Sequence, residues 1–236
     1  LKLLLIDNTF DPPHGSPEIH RHLEKAAKKV GPLEVVVARA PEEKIPLDLS
    51  GFDGAVLSGS KTRIAERAPW IEKEIASIRE LHRLQIPMLG ICYGEQLIAL
   101  AIAGEKTVGD APVFEHGWAK IERISPSAIF EGIPAEFCFY EYHKDEARNL
   151  PASFRVTARN SACGVQAFEV EGAPIWGLQF HPERALAEGN KSLDTQLAKD
   201  PAYPALNRQE SAKLYQEQYS EKIFENFLRE VKKRAK

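Results

Sequence analysis

From residue 2 to residue 103 the chain alternates short apolar runs with segments of helical spacing, and that alternation limits what it can fold into. Lys2–Ile6 (KLLLI), Leu33–Ala38, Gly54–Ser58 (GAVLS) and Pro87–Ile91 read as strands. Pro17–Val30 reads as a helix with Ile19, Leu23, Ala26 and Val30 on one face, Pro17 at the first helical position and Ser16 as the expected N-cap. Trp70–Leu84 places Ile71, Ile75, Ile78 and Leu81 on a second stripe, and Gly94–Ala103 forms a third helix stopped by Gly104. Strands alternating with helices are βαβ units, whose crossovers cover a parallel sheet.

After Gly109 the pattern changes to short strands joined by turns: Ala119–Ile124, Glu136–Tyr142, Phe154–Ala158, Val165–Val170 and Ile175–Phe180. Strands without intervening helices predict an antiparallel extension on the same core. Residues 185–209 are polar, contain Pro201 and Pro204, and read as a surface arm. Residues 210–236 recover helical spacing at Leu214, Ile223, Phe227 and Val231, so a terminal helix is expected to pack back on the sheet. The expectation is one α/β domain over residues 1–236, with a central, mostly parallel sheet.

Charge and composition exclude several function classes. Lys+Arg 31 against Asp+Glu 34 gives a formal net charge of −3, which lacks the basic excess that phosphate recognition needs, so no nucleic-acid partner is expected. Lys2–Ile6 and Ile98–Ala103 fall far short of the ~20 apolar residues of a membrane helix, so no membrane partner is expected and the protein reads as cytoplasmic. Cys92, Cys138 and Cys163 are too few and too widely spaced for a disulfide framework or a zinc motif, so no metal or cofactor is expected.

The most informative segment is Leu89-Gly90-Ile91-Cys92-Tyr93-Gly94-Glu95-Gln96, between a strand and a helix. A residue at a sharp strand-to-helix turn is presented at the carboxyl edge of the sheet, and glycines flank it because side chains would clash in that elbow. The helix N-terminus beneath it offers free N–H groups and the positive end of a dipole, which favour a thiolate and an oxyanion. A lone buried cysteine is more often a small core residue; the flanking glycines and a suitable base downstream favour a nucleophile. That base is offered by Trp176-Gly177-Leu178-Gln179-Phe180-His181-Pro182-Glu183, where a strand ends in a histidine with a carboxylate two residues on. Cys92, His181 and Glu183 supply the thiol, the imidazole that shuttles its proton, and the partner that orients the imidazole.

GICYGEQ and GLQFHPE resemble the two signatures of class I glutamine amidotransferases, and the likeness runs in register over about residues 1–184. It takes in Ala55–Ser60, the Glu115-His116-Gly117-Trp118 turn and His143-Lys144-Asp145-Glu146, which is similar to the family's His-x-Asp segment. The resemblance implies a flavodoxin-like three-layer fold and attack by Cys92 on the side-chain amide of glutamine. It further implies an oxyanion held by backbone N–H groups of Tyr93 and of the Gly59–Ser60 loop, and a substrate pocket formed with Gln96, Glu115, His116, Gly117, Trp118 and His143. Gly59-Ser60-Lys61 stands where many amidotransferases have Gly-Gly-Pro, and this loop resembles a stand-alone branch similar to the amidotransferase domain of GMP synthase, which also contains γ-glutamyl peptidases of plants. No ATP-pyrophosphatase loop or P-loop follows Glu183, so the expected partners are a small substrate, glutamine or a γ-glutamyl compound, and a separate ammonia-accepting synthetase chain.

The remaining candidates read blandly. His20 and His22 are expected on a solvated helix surface, because residues i and i+2 do not share a helical face. Cys138 is expected to fill core space, and Cys163 to be exposed in the Asn160–Gly164 turn.

Overall fold

The computed structural model describes residues 1–205 and 212–235. The first half builds strands β1 (Lys2–Asp7), β2 (Glu34–Arg39), β3 (Gly54–Leu57) and β4 (Met88–Ile91), interleaved with helices α1 (Pro17–Val30), α2 (Pro69–Arg83) and α3 (Tyr93–Ala103). The second half adds β5 (Val108–Arg123), β6 (Glu136–Ala147), β7 (Phe154–Arg159), β8 (Ala167–Val170) and β9 (Ile175–Leu178), then helices α4 (Leu186–Lys199) and α5 (Glu217–Arg234). One nine-stranded sheet results, in the order β2-β1-β3-β4-β9-β8-β7-β5-β6. The strands from β2 to β9 run parallel, and those from β8 to β6 pair antiparallel.

The two-residue period of β1 distributes its side chains between two cores. Leu3 and Leu5 pack with Ile19 and Leu23 of α1 and with Phe224 and Phe227 of α5. Leu4 and Ile6 pack with Ile71 and Ile75 of α2 and with Leu97 and Ile98 of α3. All four strand residues have no exposed surface, and burying each contributes about 1.5–3 kcal/mol. Helix α3 is buried from Tyr93 to Ala101 and, apart from Glu95 and Gln96 in its first turn, carries apolar residues on every side, as a helix enclosed by its neighbours must. Among the described residues no helix is long and apolar enough to cross a membrane.

Four local expectations change. Ser16 adopts a left-handed conformation (φ 46°) and makes no cap bond; its hydroxyl donates to Asp7 Oδ1 at 2.7 Å instead. Asp7 also accepts from Gly15 N and Arg39 at 2.7 Å each, and this buried carboxylate draws the loop after β1 back onto the sheet edge. Residues expected to form a polar arm instead make helix α4 over Leu186–Lys199; residues 206–209 of that expected arm lie outside the described residues, as do 210, 211 and 236 of the expected terminal segment. Gly189 and Asn190 weaken helix propensity, but a Cβ on Gly189 would stand 2.7 Å from Trp118, so the glycine permits the close packing that holds α4 down. Trp118 Nε1 donates to Asn190 Oδ1 at 3.0 Å and completes that contact.

His22 and Cys163 are both buried, contrary to expectation. The α1 surface bearing His22 is covered by α5, where the imidazole stacks on Phe224 with ring centroids 5.0 Å apart. The Asn160–Gly164 turn folds inward because Asn160 Oδ1 accepts from the backbone N–H groups of Ala162 and Cys163. Cys138 fills core space as expected, and α5 packs back on the sheet.

Candidate active site

Strands β4 and β9 run side by side in parallel register, with Gly90 opposite Gly177 and Ile91 opposite Leu178. Cys92 is the first residue beyond β4 and His181 the third beyond β9, so both emerge at the carboxyl edge of adjacent strands, where open α/β sheets bind ligands. The Cys92 N–H donates to Leu178 O at 2.7 Å, and the Cys92 carbonyl accepts from Gln96 N at 3.1 Å, which pins the turn on both sides. Cys92 has φ 52° and ψ −109°, a strained state of the kind that costs about 1–3 kcal/mol and persists only where the surroundings impose it.

The flanking glycines supply that constraint. A Cβ on Gly90 would stand 2.6 Å from Gly94 O, and one on Gly94 would stand 2.5 Å from Leu57 O. Backbone therefore packs directly on backbone, and the thiol is carried on a rigid elbow at the first turn of α3.

His181 Nδ1 lies 2.7 Å from Glu183 Oε1, so its proton sits on that nitrogen and Nε2 is left for the thiol. Burial opposes a charged imidazole here. The Glu183 carboxylate and Cys92 outweigh it through charge and hydrogen bonding, and hold His181 well above the usual histidine range. Glu183 feels the same burial, yet the charges of His181 and Arg184 keep it below the ordinary carboxylate range. An added Cβ on Gly59 would come 3.0 Å from His181 Cε1 and 3.6 Å from Cys92 Cβ, so the Gly59–Ser60 loop closes directly over the pair.

A cleft of about 760 Å³ opens beside these residues. His181, Glu183, Tyr140 and Tyr142 form one wall, the Gly59–Thr62 segment and residues 9–13 another, and Arg184, Ser192 and Gln196 a third. Tyr140, Tyr142 and the loop after β1 were not singled out from sequence, because nothing in their local pattern distinguishes a cleft wall from a strand or a turn.

The structure divides the expected substrate residues into two groups. Gly59, Ser60 and Tyr93 stand at the elbow, whereas Gln96, Glu115 and His143 are buried in a polar layer of β5, β6 and α3. The Gln96 amide donates to Asp145 O at 2.8 Å and Gln179 Oε1 at 2.9 Å. His116 sits between two phenols, 2.7 Å from Tyr140 Oη and 2.8 Å from Tyr203 Oη, and burial pushes it down to about 4, so the neutral ring donates to one and accepts from the other. Gly117 follows it with φ 134°, and the Trp118 side chain turns to α4. Glu95 and Glu141 also lie in this layer, fully buried, and burial holds both carboxyls well above their usual range. His22 was missed as well: it is buried near Glu183, and burial lowers its pKa against the pull of the Glu183 charge.

Comparison with known proteins agrees with this geometry. The family model described as Glutamine amidotransferase class-I matches residues 17–198. The glutamine-hydrolysing GMP synthase subunit of Methanocaldococcus jannaschii is 34% identical over 193 residues, covering 81% of this chain and 93% of that protein. The corresponding GMP synthase subunit of Methanopyrus kandleri is 38% identical over 198 residues, covering 84% and 97%. A glutamine amido transferase structure from Methylobacillus flagellatus shares the fold, with a TM-score of 0.77 at 21% identity over 97% of this chain and 94% of that one. With a matched domain covering most of its length and a cysteine carried on the expected elbow, the chain belongs to the class I glutamine amidotransferase family.

Proposed function

We propose that the chain hydrolyses the side-chain amide of glutamine through a γ-glutamyl thioester on Cys92. The observation that carries this reading is the strained elbow at Cys92 facing a His181–Glu183 pair joined at 2.7 Å. Sγ attacks the amide carbon, and the carbonyl oxygen becomes an oxyanion. The Tyr93 N–H, which as the first in α3 has no partner within the helix, and the backbone of the Gly59–Ser60 loop are placed to hold it. His181 passes its proton to the departing nitrogen, and ammonia leaves. A water that gives a proton to His181 then attacks the thioester, releasing glutamate and restoring the thiol.

Gln96, Glu115 and His143 serve in this reading as the wall behind the nucleophile, since their polar atoms are engaged with one another, with backbone or with Gln179, Gln166 and Asn160. His116, Gly117 and Trp118 form the flank toward α4, with the backbone at Gly117 as the element that meets the amino-acid end of the substrate. The strand order 2-1-3-4-9 of the parallel half follows the flavodoxin-like order and supports that description, with two helices on each face. We read the molecule as one domain. We place it in the cytoplasm, since Cys92, Cys138 and Cys163 are all buried and unpaired.

Purified protein incubated with glutamine is expected to release ammonia, and Cys92→Ala is expected to release none while keeping its circular dichroism spectrum. Equal release by the variant would remove Cys92 from the chemistry. The cleft favours a second substrate class: about 760 Å³ exceeds what a departing ammonia needs, so γ-glutamyl amines with bulkier leaving groups belong in the same assay. The two archaeal relatives are each named as one subunit of a synthase, which supports a synthetase partner that takes up the ammonia. Stimulation of glutaminase activity by a co-purified synthetase chain would support that partner, and full activity of the isolated chain would argue against dependence on one.

A further inference from the structure

His143, Glu115 and Glu141 meet inside the polar layer with more acceptors than donors. His143 Nδ1 lies 3.0 Å from Asp145 O, and a carbonyl can only accept, so that nitrogen carries a proton. His143 Nε2 then points at acceptors: Glu115 Oε2 at 3.0 Å and Glu141 Oε2 at 3.6 Å. The contact is closed by a proton, on the ring or on one of the carboxyls, or by a metal ion.

The surroundings match a metal. Cys163 completes a group with Glu115 and His143 in which one ligand atom from each lies within 4.8 Å of the others, and all three residues are buried. A tetrahedral zinc site spaces its N, O and S ligands about 3.3–3.8 Å apart. The imidazole is already oriented as in zinc sites, its second ring N–H donating to a backbone carbonyl. Glu115 is likewise held from outside: Gln166 Nε2 donates to Oε2 at 3.0 Å and Asn160 Nδ2 to Oε1 at 2.7 Å.

A second observation points into the same place. Glu141 has no exposed surface, and neither of its carboxylate oxygens meets hydrogen-bond geometry with any donor. The Gln166 amide, which also faces it, already donates to Glu115. This fully buried carboxyl group, 3.6 Å from His143 Nε2, stands beside the three-residue group as a further oxygen donor.

We propose that Glu115, His143, Cys163 and Glu141 bind one zinc ion behind the nucleophile. Mixed nitrogen, oxygen and sulfur donors in a closed, dry pocket select zinc over calcium or magnesium. Binding displaces the Cys163 proton, which otherwise stays on sulfur because burial and the nearby carboxylates push the thiol up; the sulfur now donates to Val165 O at 3.2 Å. The ion ties β5, β6 and the Asn160–Gly164 turn together and is separate from the Cys92 chemistry. The widely spaced cysteines lack a local zinc motif because a single cysteine takes part, and the other ligands arrive by strand pairing, with Glu115 opposite His143 in the β5–β6 register.

The full chain, stripped with a chelator, is loaded with zinc or cobalt(II), passed through gel filtration and analysed for metal. One metal per chain is expected, with cobalt showing thiolate-to-metal charge-transfer absorption and the intense visible bands of a tetrahedral site. Cys163→Ser and Glu141→Gln should each weaken zinc affinity by more than about 10-fold, whereas Cys138→Ser and Cys92→Ala should retain the ion. Failure of the wild-type chain to retain metal would overturn the proposal and leave the cluster held by hydrogen bonds alone. So would loss of the metal in Cys92→Ala with retention in Cys163→Ser, which would place it at the catalytic thiol. The wild-type cobalt spectrum decides the matter even if a ligand variant fails to fold.

Discussion

Glu74 offers the sharpest test of how the core treats charge. It sits on the inner face of α2, has no exposed surface, and faces Asn8 and the Tyr93 ring region. Burial raises its carboxyl to about 8 from an ordinary value of 4.5, and the Asn8 side chain offsets only part of that. The folded state therefore holds the protonated form, and the unfolded state ionises first as pH rises. Stability is lost between the two values and levels off above the higher one. From these values the loss is about 1 kcal/mol at pH 5, about 3 at pH 7 and about 5 at pH 9. Glu74→Gln keeps the shape and removes the titration. Urea unfolding of both proteins at pH 5 and pH 9 should show the variant gaining about 4 kcal/mol relative to the parent between the two conditions. Every other titrating group is common to both chains and cancels in that comparison. A difference between the proteins that stays constant with pH would refute the reasoning, since it would mean Glu74 reaches water or a cation in the folded chain.

Two further outcomes follow from the elbow and the His181–Glu183 pair. Glu183→Gln removes the charge that favours the His181 imidazolium, so the ring loses its proton at lower pH; the alkaline limb of the kcat/KM profile should move to lower pH, and a limb left in place would remove Glu183 from that role. Gly94→Ala drives a methyl group to 2.5 Å from Leu57 O, a backbone atom that cannot step aside, so we expect a loss of about 1–3 kcal/mol in thermal or urea unfolding together with loss of ammonia release. Full stability in that variant would show that the β3–α3 contact is looser than described.

The elbow was legible in the sequence because its demands are local. Gly90 and Gly94 are there to avoid backbone collisions within one turn, and the alternation of strand and helix around them follows from side-chain periodicity. The buried polar layer was not legible for the opposite reason. Glu115 and His116 read as a turn and His143 and Glu146 as the segment after a strand, and with Gly109, Pro112 and Gly117 they hid the first part of β5 and the end of β6. Their burial depends on pairing across the sheet, where Glu115 meets His143 and Gly109 meets Glu146. His22 and the expected polar arm changed for the same reason, since each is explained by a partner far along the chain, Phe224 for His22 and Trp118 for the arm at Gly189.

By itself the sequence determined the parallel half of the sheet and the helices that cover it, and it singled out Cys92, His181 and Glu183 as the residues proposed to react, since those rest on periodicity, turn geometry and side-chain chemistry. Only the tertiary structure decided what surrounds them. The parallel register of β4 and β9 brings the two motifs together, and antiparallel pairing encloses the acids behind Cys92. Packing on Trp118 turns a polar segment into the helix α4 that lines the cleft. The physical reason is range: periodicity and backbone strain act within a few residues, whereas desolvation and charge are set by neighbours that only folding supplies.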